Sequence, residues 1–200
     1  MANQPKKYKK FVATAATATL VASAIVPVAS AASFSDVVVG GSHSEAINAL
    51  ADQGIIKGYA DGTFKPGVQI NRGQTVKLLG RWLESQGYEI PADWNSVQRF
   101  SDVPVNFADQ ELVKYAALVK DAGVFNGSQG KLNASQPMQR QHMAVVLVRA
   151  IKNVLGEDLV QQYKDAGFVS SIEDLDQAYA NENREAIIAL EFAGITKVSD

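Results

Sequence analysis

Gly54-Ile55-Ile56-Lys57-Gly58-Tyr59-Ala60-Asp61-Gly62-Thr63-Phe64-Lys65-Pro66 is the stretch on which the reading of the chain turns. Ahead of it, Ile47, Leu50 and Ala51 recur at helical spacing, and Gly54 follows where a helix needs a residue tolerant of the left-handed conformation. Asp61-Gly62 and Pro66-Gly67 are turn signals. Beyond them, Asn71-Arg72-Gly73-Gln74 fits a helix start with Asn71 as N-cap, Arg72 at N1 and Gln74 at N3. Val76, Leu79 and Leu83 then share one face. Ser42-His43-Ser44-Glu45 reads as a capping box opening the first helix. The pattern predicts a helix–loop–helix unit.

The unit recurs. Glu45–Ile55, Lys114–Val124 and Glu185–Ile195 align, and their glycines Gly54, Gly123 and Gly194 stand at nearly equal intervals. Phe34-Ser35-Asp36-Val37 and Phe100-Ser101-Asp102-Val103 precede the first two copies, and Tyr163-Lys164-Asp165-Ala166 is a weaker third. In the second copy Gly127–Pro137 is the loop, and Met143, Val146, Leu147, Ala150 and Ile151 continue as a helix. This predicts units over 32–83, 100–155 and 163–200, the last incomplete and cut inside its loop, with linkers over 84–99 and 156–162. Phe34, Trp82 and Phe100 are expected in the core.

The 200 residues include 19 basic and 21 acidic side chains, 46% hydrophobic residues and no cysteine. Disorder, a disulfide scaffold, a thiolate metal site and a cysteine nucleophile are excluded, and no basic excess recommends nucleic acid. The charge is uneven. Lys6, Lys7, Lys9 and Lys10, the apolar run Phe11–Val28 and Ala29-Ser30-Ala31 together read as a secretory signal peptide over 1–31. Its removal takes four lysines and no acids. The mature stretch 32–200 keeps 15 basic and 21 acidic side chains, a net charge of −6.

The pattern Phe34-x-Asp36-Val37, Ala46-Ile47-x-x-Leu50, Gly54-Ile55-x-x-Gly58-Tyr59-x-Asp61-Gly62-Thr63-Phe64-x-Pro66 and Ile70-Asn71-Arg72-Gly73-Gln74 resembles the S-layer homology domain. The resemblance implies a mainly α fold of three repeats about a pseudo-threefold axis. It also implies non-covalent anchoring of a surface-layer protein to the wall of a Gram-positive bacterium, by binding a pyruvylated secondary cell wall polymer linked to peptidoglycan in grooves between repeats. Lattice self-association would run through regions beyond this chain. The same anchor could serve a larger surface enzyme whose catalytic domain follows residue 200. Neither nucleic acid nor, after signal cleavage, a membrane is an expected partner.

Candidate ligand residues follow from the same loop and helix. At N1, Arg72 offers a guanidinium fork for a carboxylate beside free N–H groups and a positive helix end. A pyruvate ketal supplies such a carboxylate on an otherwise neutral sugar. Asp61, Gly62 and Thr63 form a turn suited to sugar hydroxyls, and Lys77 is a further cation on the same helix. Arg140 is the second copy's arginine, but Gln139 and His142 replace the capping residues, Gln129-Gly130-Lys131-Leu132 replaces Asp-Gly-Thr-Phe, and the Gly-to-Arg spacing is shorter by one. Asn183-Arg184-Glu185 precedes a first helix and is not a copy of the signature. His43 and His142 are too few for a zinc site, and Lys57 and Tyr59 occupy offsets where a calcium loop needs oxygen ligands. With no G-x-S-x-G, H-E-x-x-H or Walker loop, no catalytic residue, metal or cofactor is expected.

Overall fold

The computed structural model describes residues 34–196 and is mainly helical; the expected leader lies outside them. Six α-helices carry the described fold: α1 (Ser44–Asp52), α2 (Arg72–Ser85), α3 (Gln110–Asp121), α4 (Arg140–Ala150), α5 (Leu159–Asp165) and α6 (Asn181–Phe192). A wider helical turn over Ile151–Leu155 continues α4 and ends at Gly156, whose φ is +78°. The helices pack as α2 on α3, α4 on α6 and α5 on α6.

The aligned glycines close α1, α3 and α6 in the same way. Gly54, Gly123 and Gly194 have φ near +70°. In each case the glycine N–H and the next residue's N–H turn back onto the final helical turn, as with Gly54 to Ala51 and Ile55 to Leu50. The start of α2 also matches its sequence: Asn71 accepts from the Gln74 backbone at 2.8 Å, and the Gln74 side chain accepts from the Asn71 backbone at 2.9 Å. The box expected at Ser42 does not form. There the helix begins at Ser44, whose hydroxyl donates to the Gly41 carbonyl instead.

The Phe-Ser-Asp-Val segments are the struts of the loops. Asp36 accepts from the backbones of Phe64 and Lys65 at 2.8 and 2.7 Å, and Asp102 from Leu132 and Asn133, both at 2.7 Å. Those bonds, the Phe64 one foremost, hold the Asp36 carboxyl below its ordinary pKa. Beneath each loop lies the segment's phenylalanine. A Cβ on Gly58 would come within 2.2 Å of the Phe34 ring, and one on Gly127 within 2.7 Å of the Phe100 ring. The spacing difference lies in the tips: the loop closes between Tyr59 and Thr63 in the first copy, and between Ser128 and Lys131, one position tighter, in the second. The third copy departs from this plan. Tyr163 and Asp165 lie within α5, and Asp165 accepts from the Gln161 side chain, not from a downstream loop.

Three apolar clusters result. The largest joins α2, α3 and the second loop through Val76, Leu83, Phe100, Val119, Phe125 and Leu132. Trp82, expected in the core, is half-buried and packs against it, as does half-buried Trp94. A second cluster lies between α4, α5 and α6, around Val148, Leu159, Tyr163 and Leu190. Phe34, Ala51 and Ile56 form the third, under α1. Arg99 pins the 84–99 segment through ion pairs to Asp93 and Asp121 at 2.6 and 2.7 Å.

Candidate functional site: a groove entered by Arg72

Arg72 is the first residue of α2, as expected, but it is buried, 8% exposed, and the helix start is not open. The first free N–H groups of α2 are all taken by the protein. Arg72 donates from its backbone to Gln136 and Gly73 to Ala134, both at 2.9 Å, and Gln74 to the Asn71 side chain. The anion site expected from the backbone of this helix start is therefore closed by the second loop, which the local sequence gives no means of foreseeing.

The side chain crosses into the second unit. Its Nε donates to the Leu132 carbonyl at 2.6 Å, and the guanidinium stands 4.9 Å from the centroid of the Phe125 ring. It enters a groove of roughly 180 Å³. The Phe125–Ser128 loop forms one wall, α4 contributes His142, Val145, Val146 and Arg149, and α6 contributes Glu182 and Asn183. Met138 completes the apolar lining. Among the described residues no carboxylate forms an ion pair with Arg72. Burial lowers the pKa of its guanidinium, opposed by the charge of Asp102, yet an arginine stays cationic in either case.

The other polar groups are organised. Arg149 donates from Nε to Glu182 at 2.9 Å and pairs with the same oxygen through Nη2. Buried Asn183 donates to the Gln141 side chain at 2.8 Å. Burial, and then the charge of Arg72, hold the His142 imidazole below its ordinary pKa. The groove thus offers one cation without a carboxylate partner, a neutral imidazole, amide and hydroxyl groups, and an apolar floor. That combination suits a sugar bearing an acidic group.

Of the sequence candidates, only Arg72 lines this groove. Asp61 accepts from both the backbone and the hydroxyl of Thr63 and pairs with Lys65 at 2.9 Å, which holds its carboxyl down at about 2. Gly62, at φ +78°, makes the turn, and its carbonyl accepts from the Ser35 backbone. Lys77 is half-buried and pairs with Asp109, the N-cap of α3, at 2.8 Å. Arg140 is exposed at the start of α4; counting from Gly194, the third copy's counterpart of Phe125 is Thr196, the last described residue. The signature motifs do not single out Arg149 and Glu182. Extended beyond the signatures, the repeat finds them, because they follow Arg81 and Glu111 at nearly the interval that separates the aligned glycines.

The helix pairs, their glycine stops and the groove between successive copies define a tandem helix–loop–helix module. Residues 33–76 match the S-layer homology domain, and the chain carries a domain of that family. It is similar to the surface-layer 125 kDa protein of Lysinibacillus sphaericus, 37% identical over 171 residues, which are 84% of this chain and 14% of that protein. It is also similar to the S-layer protein EA1 of Bacillus anthracis, 34% identical over 163 residues, covering 79% of this chain and 18% of that one. An uncharacterized cell wall amidase of Bacillus anthracis matches 113 residues at 34% identity, 55% of this chain and 20% of the amidase. The chain thus spans less than a fifth of the length of these S-layer proteins.

Proposed function

We propose that this chain is the wall-anchoring region of an exported surface-layer protein of a Gram-positive bacterium, and that the groove entered by Arg72 binds an acidic sugar of the secondary cell wall polymer. The observation that carries this is a buried guanidinium stacked on Phe125, with no carboxylate ion pair among the described residues, on a side chain that lines a cleft shared with α4 and α6. A pyruvate ketal presents one carboxylate for the fork of Arg72 and one methyl group for the apolar floor of Met138, Val145 and Val146. Asn183 and Ser128 are at hand for ring hydroxyls. Asp61, Gly62 and Thr63 then act as scaffold, Lys77 as an inter-helix strut, and Arg140 as a secondary contact on the exposed start of α4. The described chain is read as two complete units and the first helix of a third, and lattice contacts belong to regions outside it.

Co-sedimentation with cell walls and calorimetry on extracted polymer test this reading. Arg72→Met is expected to weaken binding about tenfold to a hundredfold, the range for a charge-assisted bond, with Arg140→Met costing less. Mild acid removal of the ketals is expected to abolish binding. Unchanged affinity of Arg72→Met, with its melting temperature preserved, would overturn the assignment. A second reading, the anchor of a wall-acting enzyme, is favoured by the match to the amidase. Sequencing downstream of residue 200 decides between them.

A further inference from the structure

We infer that Asn183 is a specificity residue of this groove, offering its side-chain oxygen as the acceptor for a free hydroxyl of the bound sugar, and that Gln141 holds it in that orientation; this rests on the reading of the groove as an acidic-sugar site. Asn183 lines the groove from the first turn of α6 and is buried, 7% exposed. The fold does not ask for an amide there. Leu112 stands as far before Gly123 as Asn183 stands before Gly194, and at that position of α3 the leucine is buried in the apolar core. Gln141 likewise follows Arg140 where Gly73 follows Arg72. The second seam has thus exchanged a glycine and a leucine for two amides. An amide buried where the same fold accepts leucine is costly unless its polar atoms are met.

The hydrogen bonds fix which way the Asn183 amide points. The Tyr179 backbone N–H, which can only donate, bonds to Gln141 Oε1 at 3.1 Å. The same oxygen accepts from Asn183 Nδ2 at 2.8 Å. Because the Gln141 oxygen is turned to that backbone group, Asn183 can bond to it only through its NH2, and Oδ1 is left over. No donor among the described residues meets that Oδ1, and it is not sealed inside the protein. On a buried residue that lines the groove, an accessible acceptor is open to the groove. Arg72 and Arg149 can only donate, so Asn183 brings the opposite polarity to the same cleft. A sugar with a free hydroxyl at this point satisfies the oxygen. One that has lost the hydroxyl hydrogen leaves the acceptor unpaired in a partly desolvated site, which is the situation in which polar groups discriminate most.

The test uses the whole chain and three synthetic probes: a methyl hexopyranoside bearing a 4,6-pyruvate ketal, whose free hydroxyls are at C2 and C3, and its 2-deoxy-2-fluoro and 3-deoxy-3-fluoro analogues. Fluorine is close to a hydroxyl in size but cannot donate. Wild type is expected to bind one of the two fluoro analogues about tenfold more weakly than the parent. Asn183→Leu, which installs the residue found at the counterpart position in α3, is expected to bind the parent and that analogue within about twofold of each other. Gln141→Met, which frees the Asn183 amide to turn over, is expected to shrink the same preference, and Gln141→Glu, which keeps an accepting oxygen for Tyr179 and Asn183, to retain it. Equal wild-type binding of all three probes overturns the inference without requiring any variant to fold, and so does a preference that persists undiminished in Asn183→Leu or in Gln141→Met. Failure of the parent probe to bind wild type, or binding of it that survives Arg72→Met, overturns the underlying reading instead. Arg72-dependent binding with no preference among the probes overturns this inference alone.

Discussion

His142 places a pH response in the groove, and its sign follows from its neighbours. Burial and the Arg72 charge hold its pKa below the ordinary 6.5, so the unfolded chain takes up a proton before the folded one does. Stability therefore falls as pH drops through about 6.5, and levels off once the folded imidazole also protonates. A carboxylate on Arg72 reverses the local field and raises the imidazole pKa. Affinity for a monoanionic sugar is expected to be flat above about pH 7 and to rise below it, with proton uptake measurable by calorimetry in buffers of different ionisation enthalpy. His142→Gln should flatten the profile; a profile unchanged by that substitution removes His142 from the groove's chemistry. At this scale the sequence was half legible. Arg72 stood out from its place in the loop–helix motif, but its burial depends on Phe125 and Leu132, which belong to the next copy. No local pattern shows that a downstream loop will cap the helix start.

At the scale of the elements, the seam between α2 and α3 is set by a glycine that helix propensity alone would advise against. Gly80 sits within α2, where glycine costs roughly 1 kcal/mol relative to alanine. Its Cα faces Tyr115, and a Cβ there would lie 2.3 Å from the ring. The Tyr115 hydroxyl in turn donates to Glu84; burial first, and then this bond, push the phenol up to about 12. Gly80→Ala is expected to lose about 1–3 kcal/mol in denaturant melts despite its better propensity, because the ring must move in a filled core. A stabilised Gly80→Ala would mean that the helices separate without cost. The helices themselves were readable from periodicity and their glycine stops. The start of α2 was readable because Asn71 and Gln74 sit three apart with nothing competing. The start of α1 was not, because Ser44 finds the Gly41 carbonyl before the box can close.

Across the whole molecule the apolar interior is unevenly shared. Phe125, Leu132 and Val76 bind α2, α3 and the second loop into one large cluster, whereas α1 rests on the small cluster of Phe34, Ala51 and Ile56. Local opening draws on the regions with least burial. Native-state hydrogen exchange is expected to give the amides of α1 markedly lower protection than those of α3; equal protection would mean that the clusters unfold as one unit. The repeat offsets carried the glycine stops of α1, α3 and α6, and the Arg81–Glu111 and Arg149–Glu182 pairs stand at nearly the same interval without belonging to any signature. They could not carry the groove, which exists only once three separated stretches meet.

The Leu132 carbonyl and the Phe125 ring hold an arginine that originates in the preceding copy, while Glu182, in the first turn of α6, forms the opposite wall from the copy that follows. No single helix pair owns the groove. Gene shuffling that transplanted one pair would move scaffold without recognition, and an internal deletion of one pair would erase the groove even if every remaining helix folded. On the proposed reading, recognition therefore belongs to the ordered series of helix pairs and not to any one of them.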